Sequence, residues 1–217
     1  MSARILVINP NSSETVTAGI DAAMAALRFA EGPGIDCVTL AEGPPGIETQ
    51  VQVDGVVAPL LALIRREPAA AYVIACFSDP GLGAAREAAA APVFGISESA
   101  MARALSLGER FGILAILPAS VSRHRRYVRS LGLESRFADS QPIGRGVGEL
   151  AEPAATLAAM TEVGRRLRDD EGADVLILGC AGMAGYRAAL EAELGLPVVE
   201  PCQAAAAAAL GAVRLGW

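Results

Sequence analysis

Several residue types are scarce or missing in this chain of 217 residues. Aromatic side chains make up only 4% of it, so the core must be built from Ala, Val, Leu and Ile. No apolar run reaches the roughly 18 uninterrupted residues that a membrane span needs. The N-terminal apolar stretch is short and ends at Asn9, which is unlike a secretory signal. These absences predict a cytoplasmic protein with no membrane partner.

Lysine is absent, and all 18 basic residues are arginine. This excludes a Schiff-base lysine, and with it ordinary pyridoxal-phosphate catalysis, and it also excludes the lysine of a phosphate-binding P-loop. The net charge of −6 argues against nucleic acid as a partner. The one basic cluster is expected to be a solvated helix face; it comprises Arg123, Arg125, Arg126 and Arg129.

Histidine occurs once, at His124, and its arginine neighbours predict an exposed position on the same helix. A single histidine cannot build a zinc site with several His ligands, and the four cysteines contain no Cys-x-x-Cys pair, so no metal site is predicted. No Gly-x-Ser-x-Gly segment is present for a serine nucleophile. Acid–base chemistry therefore falls to Cys, Asp, Glu or Tyr.

The apolar segments follow one plan twice. Short buried strands alternate with helical patterns, which predicts an α/β fold with parallel sheets. Cys76 and Cys180 lie 104 positions apart, Pro92 and Pro197 lie 105 apart, and Arg4 and Arg110 lie 106 apart. A spacing that holds within two residues indicates two pseudo-symmetric subdomains, each a parallel sheet flanked by helices. We expect one to comprise residues 1–98 with 203–217, and the other residues 99–202.

Cys76 and Cys180 end equivalent strands, and ligands bind at the carboxyl ends of parallel strands. A helix is expected to begin directly after each cysteine, with Asp79 as N-cap and Pro80 as first residue in one half, and at Gly182 in the other. A helix N-terminus favours the thiolate and offers N–H groups to an anionic oxygen. The N–H groups expected to bind substrate belong to Phe77, Ser78, Ala181 and Gly182.

Two thiols that faced each other across a cleft between the subdomains could invert a stereocentre. One would remove a proton from carbon while the other protonated the opposite face, with no metal or cofactor. The alternative is that both cysteines are ordinary buried residues.

Three segments resemble the signatures of the aspartate/glutamate/hydantoin racemase superfamily, and two of them resemble its hydantoin/allantoin branch. They are residues 9–13 (NPNSS), 75–82 (ACFSDPGL) and 179–183 (GCAGM). The resemblance covers essentially the whole chain. It implies two flavodoxin-like subdomains with the active site in the cleft between them. It also implies racemisation without a cofactor by Cys76 and Cys180, a small-molecule substrate and a homo-oligomer.

Further candidate site residues surround these segments. Asn11 matches the family's substrate-facing turn, although Asn11-x-x-Glu14 also has the form of a helix cap; Ser12 beside it is a second substrate-binding candidate. Asp79 either supports Cys76 or acts only as a cap. Glu48 lies in a Gly/Pro-rich loop and is either a substrate-selecting residue or a solvated acid.

One segment departs from the family. Where relatives often carry a threonine pair, this chain has Ala115-Ile116, and Ser120 is the nearest hydroxyl. An apolar wall there would suit a hydrophobic substituent on the substrate. The two remaining cysteines, Cys37 and Cys202, are predicted to be structural.

The leading hypothesis is a racemase that inverts C5 of 5-monosubstituted hydantoins. Allantoin or an acidic amino acid is an alternative substrate, but relatives that act on acidic substrates carry Cys-Asn-Thr and Gly-Cys-Thr, where this chain has Cys76-Phe-Ser and Gly179-Cys-Ala. A decarboxylase or isomerase of the same superfamily is a further alternative. A non-catalytic module that binds a small molecule is the alternative outside enzymes.

Overall fold

The computed structural model describes residues 3–217. The strands are β1 Arg4–Asn9, β2 Gly34–Thr39, β3 Ala71–Ile74, β4 Val93–Gly95, β5 Phe111–Ala115, β6 Phe137–Pro142, β7 Val175–Leu178 and β8 Val198–Val199. The helices are α1 Glu14–Ala23, α2 Gln50–Gly55, α3 Val57–Arg66, α4 Leu82–Ala88, α5 Ile96–Ala104, α6 Pro118–Ser130, α7 Pro153–Asp169, α8 Arg187–Leu194 and α9 Pro201–Leu215. Four 3₁₀ helices join them, at Met24–Leu27, Glu134–Arg136, Val147–Ala151 and Ala181–Tyr186.

The chain divides into two compact units. The first takes the chain up to Ser99 together with Cys202–Trp217, and the second takes Ala100–Pro201. Each unit contains one parallel four-stranded sheet, with strand order β2-β1-β3-β4 in the first and β6-β5-β7-β8 in the second. The two orders are the same when the strands of each unit are counted from its start, as the repeat predicts.

The internal strands are apolar without alternation because helices cover both faces of each sheet. In β1, Ile5 to Ile8 are all fully buried. One face of the first sheet packs against α2, α3 and α4 through a cluster that includes Leu6, Ile8, Leu60 and Ile74. In the second unit, β5 and β7 are buried along their whole length. β6 is an edge strand, and it carries polar residues and ends in Pro142.

The apolar pattern of the sequence predicts helices from Val121, Pro153 and Gln203 and a weak strand or loop from about Gln141 to Val147, and α7 begins at Pro153 as expected. Three boundaries differ. α6 begins at Pro118 rather than Val121, because Pro118 occupies the first helical turn. β6 begins at Phe137, four residues before the weak strand expected from Gln141, and α9 begins at Pro201 rather than Gln203. Among residues 3–217, no helix is long and apolar enough to cross a membrane.

Candidate active site

Cys76 lies at the carboxyl edge of the first sheet. It follows β3, an internal strand, and is partly exposed. The residue before it, Ala75, donates its backbone N–H to the carbonyl of Ile8 in β1 at 2.8 Å. The carbonyl of Cys76 accepts the N–H of Asp79 at 2.9 Å, which closes a turn directly after the cysteine. Cys76 is therefore held on both sides by backbone hydrogen bonds.

Cys180 occupies the equivalent place in the second unit. It follows β7 and is also partly exposed. The preceding residue, Gly179, donates its N–H to the carbonyl of Leu114 in β5 at 2.9 Å, and the carbonyl of Cys180 accepts the N–H of Met183 at 3.1 Å. A Cβ on Gly179 would lie 2.4 Å from the Leu114 oxygen, so only glycine permits this approach of β7 to β5.

The expected helix starts after the cysteines are only partly correct. Cys180 is the N-cap of a 3₁₀ helix, Ala181–Tyr186, and α8 begins only at Arg187. After Cys76, the prediction that Asp79 caps a helix and Pro80 begins it is wrong. α4 begins at Leu82, and its N-cap is Gly81 in the left-handed conformation. α4 thus begins six residues beyond Cys76 rather than directly after it as the sequence predicts.

Asp79 caps a different helix. Its φ of 42° is the only positive φ of a non-glycine residue within residues 3–217. This conformation turns the buried carboxylate toward the start of α5, where Oδ1 accepts the N–H of Ser97 at 3.0 Å and Oδ2 accepts that of Glu98 at 2.9 Å. The carboxylate fills the space beside Gly95, where a Cβ would lie 2.3 Å from its Cγ. Asp79 therefore joins the loop that carries Cys76 to α5.

A buried network of polar side chains follows the end of β1. Nδ2 of Asn9 donates to Oδ1 of Asn11 at 2.9 Å and to Oγ1 of Thr17 at 3.0 Å. Oδ1 of Asn11 also accepts the backbone N–H of Ser13 at 2.9 Å. The hydroxyls of Thr17 and Thr39 lie 2.6 Å apart, which extends the network to β2. Asn11 thus lies at the same edge of the sheet as Cys76, since β1 and β3 are neighbours.

The helix cap at this turn is Ser13, whose hydroxyl accepts the N–H of Val16 at 3.3 Å. The alternative interpretation of Asn11 as the cap of α1 is therefore wrong. Its side-chain oxygen instead accepts the N–H of Ser13 in the turn before the helix. Ser12 is partly exposed, and its N–H donates to the carbonyl of Pro44.

The other candidate residues differ in exposure. Phe77 and Ala181 are buried, whereas Ser78, Gly182 and Glu48 are partly exposed. The N–H of Glu48 donates to the side chain of Gln52, which also forms a capping box with Thr49 at the start of α2. Ser120 is buried in the first turn of α6, where its hydroxyl accepts from Arg123. Ala115 and Ile116 are buried at the end of β5.

The prediction that His124 is exposed is wrong. It is 4% exposed, and its Nδ1 lies 2.9 Å from the hydroxyl of Ser140 in β6. Burial, with a smaller contribution from the charge of Arg123, lowers the pKa of His124 to about 3. The burial of His124 could be recognised from the sequence spacing, because every fourth residue of α6 lies on its buried face, namely Ser120, His124 and Val128.

Cys37 differs from the two cysteines at the sheet edges. It lies within β2, and burial together with the neighbouring charge of Asp21 raises its pKa to about 12. Cys202 is fully buried in α9. Within residues 3–217, no three His, Cys, Asp or Glu side chains form a group that could hold a metal ion.

Sequence patterns place Asn9 at the end of an apolar stretch and at the start of the 9–13 segment, but they assign it no role of its own. Its role in the network is signalled by a polar residue that ends an otherwise apolar buried strand, two positions before Asn11. A buried amide at such a position needs hydrogen-bond partners, and the neighbouring turn supplies them.

The model of the family Asp/Glu/Hydantoin racemase matches residues 5–209. The chain belongs to this family. It is 36% identical over 220 residues to the hydantoin racemase of Paenarthrobacter aurescens, an alignment that covers 99% of this chain and 92% of that protein. The enzyme class predicted from the sequence is confirmed, since the chain is a racemase that acts on a small molecule, and a non-catalytic binding module is set aside.

Two solved structures are similar over the whole chain. The allantoin racemase from Klebsiella pneumoniae has a TM-score of 0.93 and 35% identity, with 99% of this chain and 89% of that one covered. The allantoin racemase from Pseudomonas fluorescens has a TM-score of 0.93 and 28% identity, with 98% and 92% covered. The predicted fold class of two flavodoxin-like α/β halves agrees with these structures.

Proposed function

We propose that this racemase inverts the C5 stereocentre of 5-monosubstituted hydantoins, with Cys76 and Cys180 as its two acid–base groups. In this proposal the thiols act on opposite faces of one substrate carbon. Phe77, Ser78, Ala181 and Gly182 supply N–H groups to substrate oxygens, and Asn11 and Ser12 bind the ring.

The observation that carries the proposal is the matching environment of the two cysteines. Each follows an internal strand of its sheet. In each case the preceding N–H donates to the neighbouring strand, at Ile8 or at Leu114, and the cysteine carbonyl accepts from the residue three positions further on. Two cysteines at equivalent places of a duplicated fold would need no functional explanation if both were ordinary core residues. Both cysteines are partly exposed rather than fully buried, although Cys76 also packs against the core of the first unit.

The two-thiol step balances without an oxidant or a cofactor. A thiolate removes the C5 proton and becomes a thiol, while the electron pair moves toward the adjacent carbonyl oxygen of the ring. The second thiol then protonates C5 from the other face and becomes a thiolate. The reverse reaction uses the same groups in opposite roles, so each cysteine is the base for one enantiomer.

The substrate class is supported by the hydantoin racemase relatives and by one asymmetry between the units. With the offset of 106 positions, Ala115 and Ile116 in the second unit correspond to Asn9 and Pro10 in the first. The second unit therefore has no polar side chain where the first has a buried amide. The buried apolar end of β5 offers no side-chain hydrogen-bond partner to a polar substituent on C5, which favours a hydrocarbon one.

Allantoin is the second candidate substrate because two similar structures are allantoin racemases. Its C5 substituent is a ureido group, which needs hydrogen-bond partners that Ala115 and Ile116 cannot offer. We expect a lower kcat/KM for allantoin than for 5-benzylhydantoin.

The test follows a single enantiomer of 5-benzylhydantoin in D₂O by optical rotation and by NMR of the C5 proton. Wild type should racemise it well above the blank without enzyme, and Cys76→Ser and Cys180→Ser should both abolish racemisation. Residual exchange in one variant with only one enantiomer would assign each thiol to a face. Cys37→Ser is the matched control, because it removes a thiol within β2, and it should keep wild-type activity. Wild-type rates in either active-site variant would overturn the two-thiol mechanism.

A further inference from the structure

The direction of every hydrogen bond around Asn11 is determined by backbone groups. The N–H of Ser13 can only donate, so the side-chain atom of Asn11 that lies 2.9 Å from it is the oxygen. In the same way, the N–H of Asn11 donates to the side-chain oxygen of Asn9 at 3.2 Å. Neither amide can be turned over without placing two donors against each other.

Asn9 then completes the arrangement with its nitrogen. Nδ2 donates to Oδ1 of Asn11 at 2.9 Å, to the carbonyl of Ser13 at 3.2 Å and to the hydroxyl of Thr17 at 3.0 Å. Oδ1 of Asn11 therefore accepts two hydrogen bonds, which occupy both of its lone pairs. Nδ2 of Asn11 has no hydrogen-bond partner among residues 3–217. The side chain offers two N–H donors and no acceptor.

The location of this donor matters because it shares an edge with the thiol of Cys76. Asn11 follows β1 by two residues, and Cys76 follows β3 by two. The two strands are paired side by side up to Ile8 and Ile74, and the N–H of Ala75 continues the pairing to the Ile8 carbonyl. A substrate carbon beside Cys76 would therefore lie at the same edge of the sheet as the Asn11 amide.

We infer that Asn9 is a positioning residue that locks the amide of Asn11 as a pure donor, and that Asn11 binds the ring oxygen next to C5. This rests on the proposed function. Negative charge develops on that oxygen when C5 loses its proton, and a donor already oriented toward it stabilises the charge without rearrangement. Asn11 therefore does more than hold the ring, because its hydrogen bond strengthens as the proton leaves.

Asn11→Asp separates this role from a structural one. A carboxylate keeps both acceptor contacts, with Nδ2 of Asn9 and the N–H of Ser13, but replaces the N–H donors with an anionic oxygen. We expect kcat/KM for 5-benzylhydantoin to fall by about 100-fold or more, mainly through kcat, while the melting temperature stays near that of wild type. Thr15→Asp is the control, since it adds the same charge at an exposed position in the first turn of α1 and makes none of the contacts of the Asn9–Asn11 network. It should stay within about threefold of wild type.

Asn9→Asp tests the lock itself. The new side chain still accepts the N–H of Asn11 but has no donor for Oδ1 of Asn11. The Asn11 oxygen is then held only by the N–H of Ser13 and faces a carboxylate oxygen, and this repulsion displaces the amide from the position in which its N–H groups meet the substrate. The loss in kcat/KM should approach that of Asn11→Asp, although Asn11 itself is unchanged in this variant. An unchanged kcat in a folded Asn9→Asp protein would overturn the positioning role.

A binding measurement decides the inference without turnover. Asn9 and Asn11 are the only asparagines in the sequence, so labelling asparagine with ¹⁵N gives two side-chain NH₂ groups. The NH₂ protons of Asn9 should exchange slowly with solvent, and their signals should not shift when unsubstituted hydantoin is added. Those of Asn11 should exchange fast, and their signals should shift. Asn11→Asp should weaken hydantoin binding at least about tenfold.

The outcomes separate the two proposals. If wild type binds hydantoin through Asn11 but racemises nothing, the proposed reaction fails and the donor role stands. If wild type racemises hydantoins and Asn11→Asp does so equally well, the donor role fails and the reaction stands. If hydantoin leaves both asparagine signals unshifted, the donor role also fails.

Discussion

The carboxylate of Asp79 accepts the backbone N–H of Ser97 at 3.0 Å, 18 positions further along the chain. The sequence predicts that Asp79 caps the helix directly after it, but in the structure Asp79 caps α5. Its second oxygen binds the next N–H, that of Glu98, so both carboxylate oxygens are used. This bidentate cap requires that Gly95 has no side chain.

Gly95→Ala should therefore be costly only while the carboxylate is present. In wild type the new Cβ would lie 2.3 Å from Cγ of Asp79 and displace it, with a loss of about 2 kcal/mol in the free energy of unfolding. In an Asp79→Gly background, which removes the carboxylate and tolerates the positive φ, the same change should cost much less. Urea denaturation of the two single variants and the double variant gives the coupling energy. Additive effects would contradict the contact.

His124 should make stability depend on pH. Its pKa is lowered from 6.5 to about 3 in the folded chain. Below pH 6.5, therefore, His124 binds a proton in the unfolded chain and stays neutral in the folded chain. The free energy of unfolding contributed by this group is complete above 6.5 and is lost as the pH falls, by at most about 1.4 kcal/mol per pH unit. His124→Gln should flatten this slope between about pH 5 and 6.5, above the range where carboxylates titrate. Parallel slopes for both proteins would rule out the effect.

Gly179 should be intolerant of a side chain. A Cβ there would meet the Leu114 carbonyl at 2.4 Å, so Gly179→Ala must push β7 away from β5 and move Cys180 with it. We expect a loss of about 1–3 kcal/mol in the free energy of unfolding, together with a large loss of racemase activity. Gly148→Ala is the control, since no atom lies within 4 Å of its new Cβ, and it should change neither quantity appreciably.

The cysteines should differ in their reactivity toward iodoacetamide. Because the pKa of Cys37 is raised to about 12, only about one molecule in ten thousand carries its thiolate near pH 8. Cys202 is fully buried, so Cys76 and Cys180 should be modified first, as peptide masses will show. Asp21→Asn removes the neighbouring charge and should speed the labelling of Cys37. Fast labelling of Cys37 in wild type would contradict its protonated state.

The repeat was the most informative part of the sequence for the fold. The similar spacing of Cys76 with Cys180 and of Pro92 with Pro197 predicts a duplicated subdomain, and the two sheets share one strand order. Apolar runs identify internal strands reliably because both faces of a parallel sheet are buried. The weak signal at β6 reflects its edge position, where polar residues and a proline are tolerated.

The sequence was less informative about polar side chains, since their partners are distant in the chain. Nothing local shows that Asp79 reaches Ser97 or that His124 reaches Ser140. Asn9 was missed for the same reason, since its function depends on the direction of hydrogen bonds in a turn. The roles of Cys76 and Cys180 and the expected homo-oligomer stay predictions.

The position of α9 has a consequence for the order of folding. Its buried alanine face belongs to the first unit, and Gln203 donates to the carbonyl of Ala23 across 180 positions. The second unit is continuous in the chain and can close as soon as it has been synthesised. The unit that is synthesised first is completed last, because it must wait for α9 to leave the ribosome. Until then the apolar surface that α9 covers is exposed, and transiently exposed apolar surface promotes aggregation.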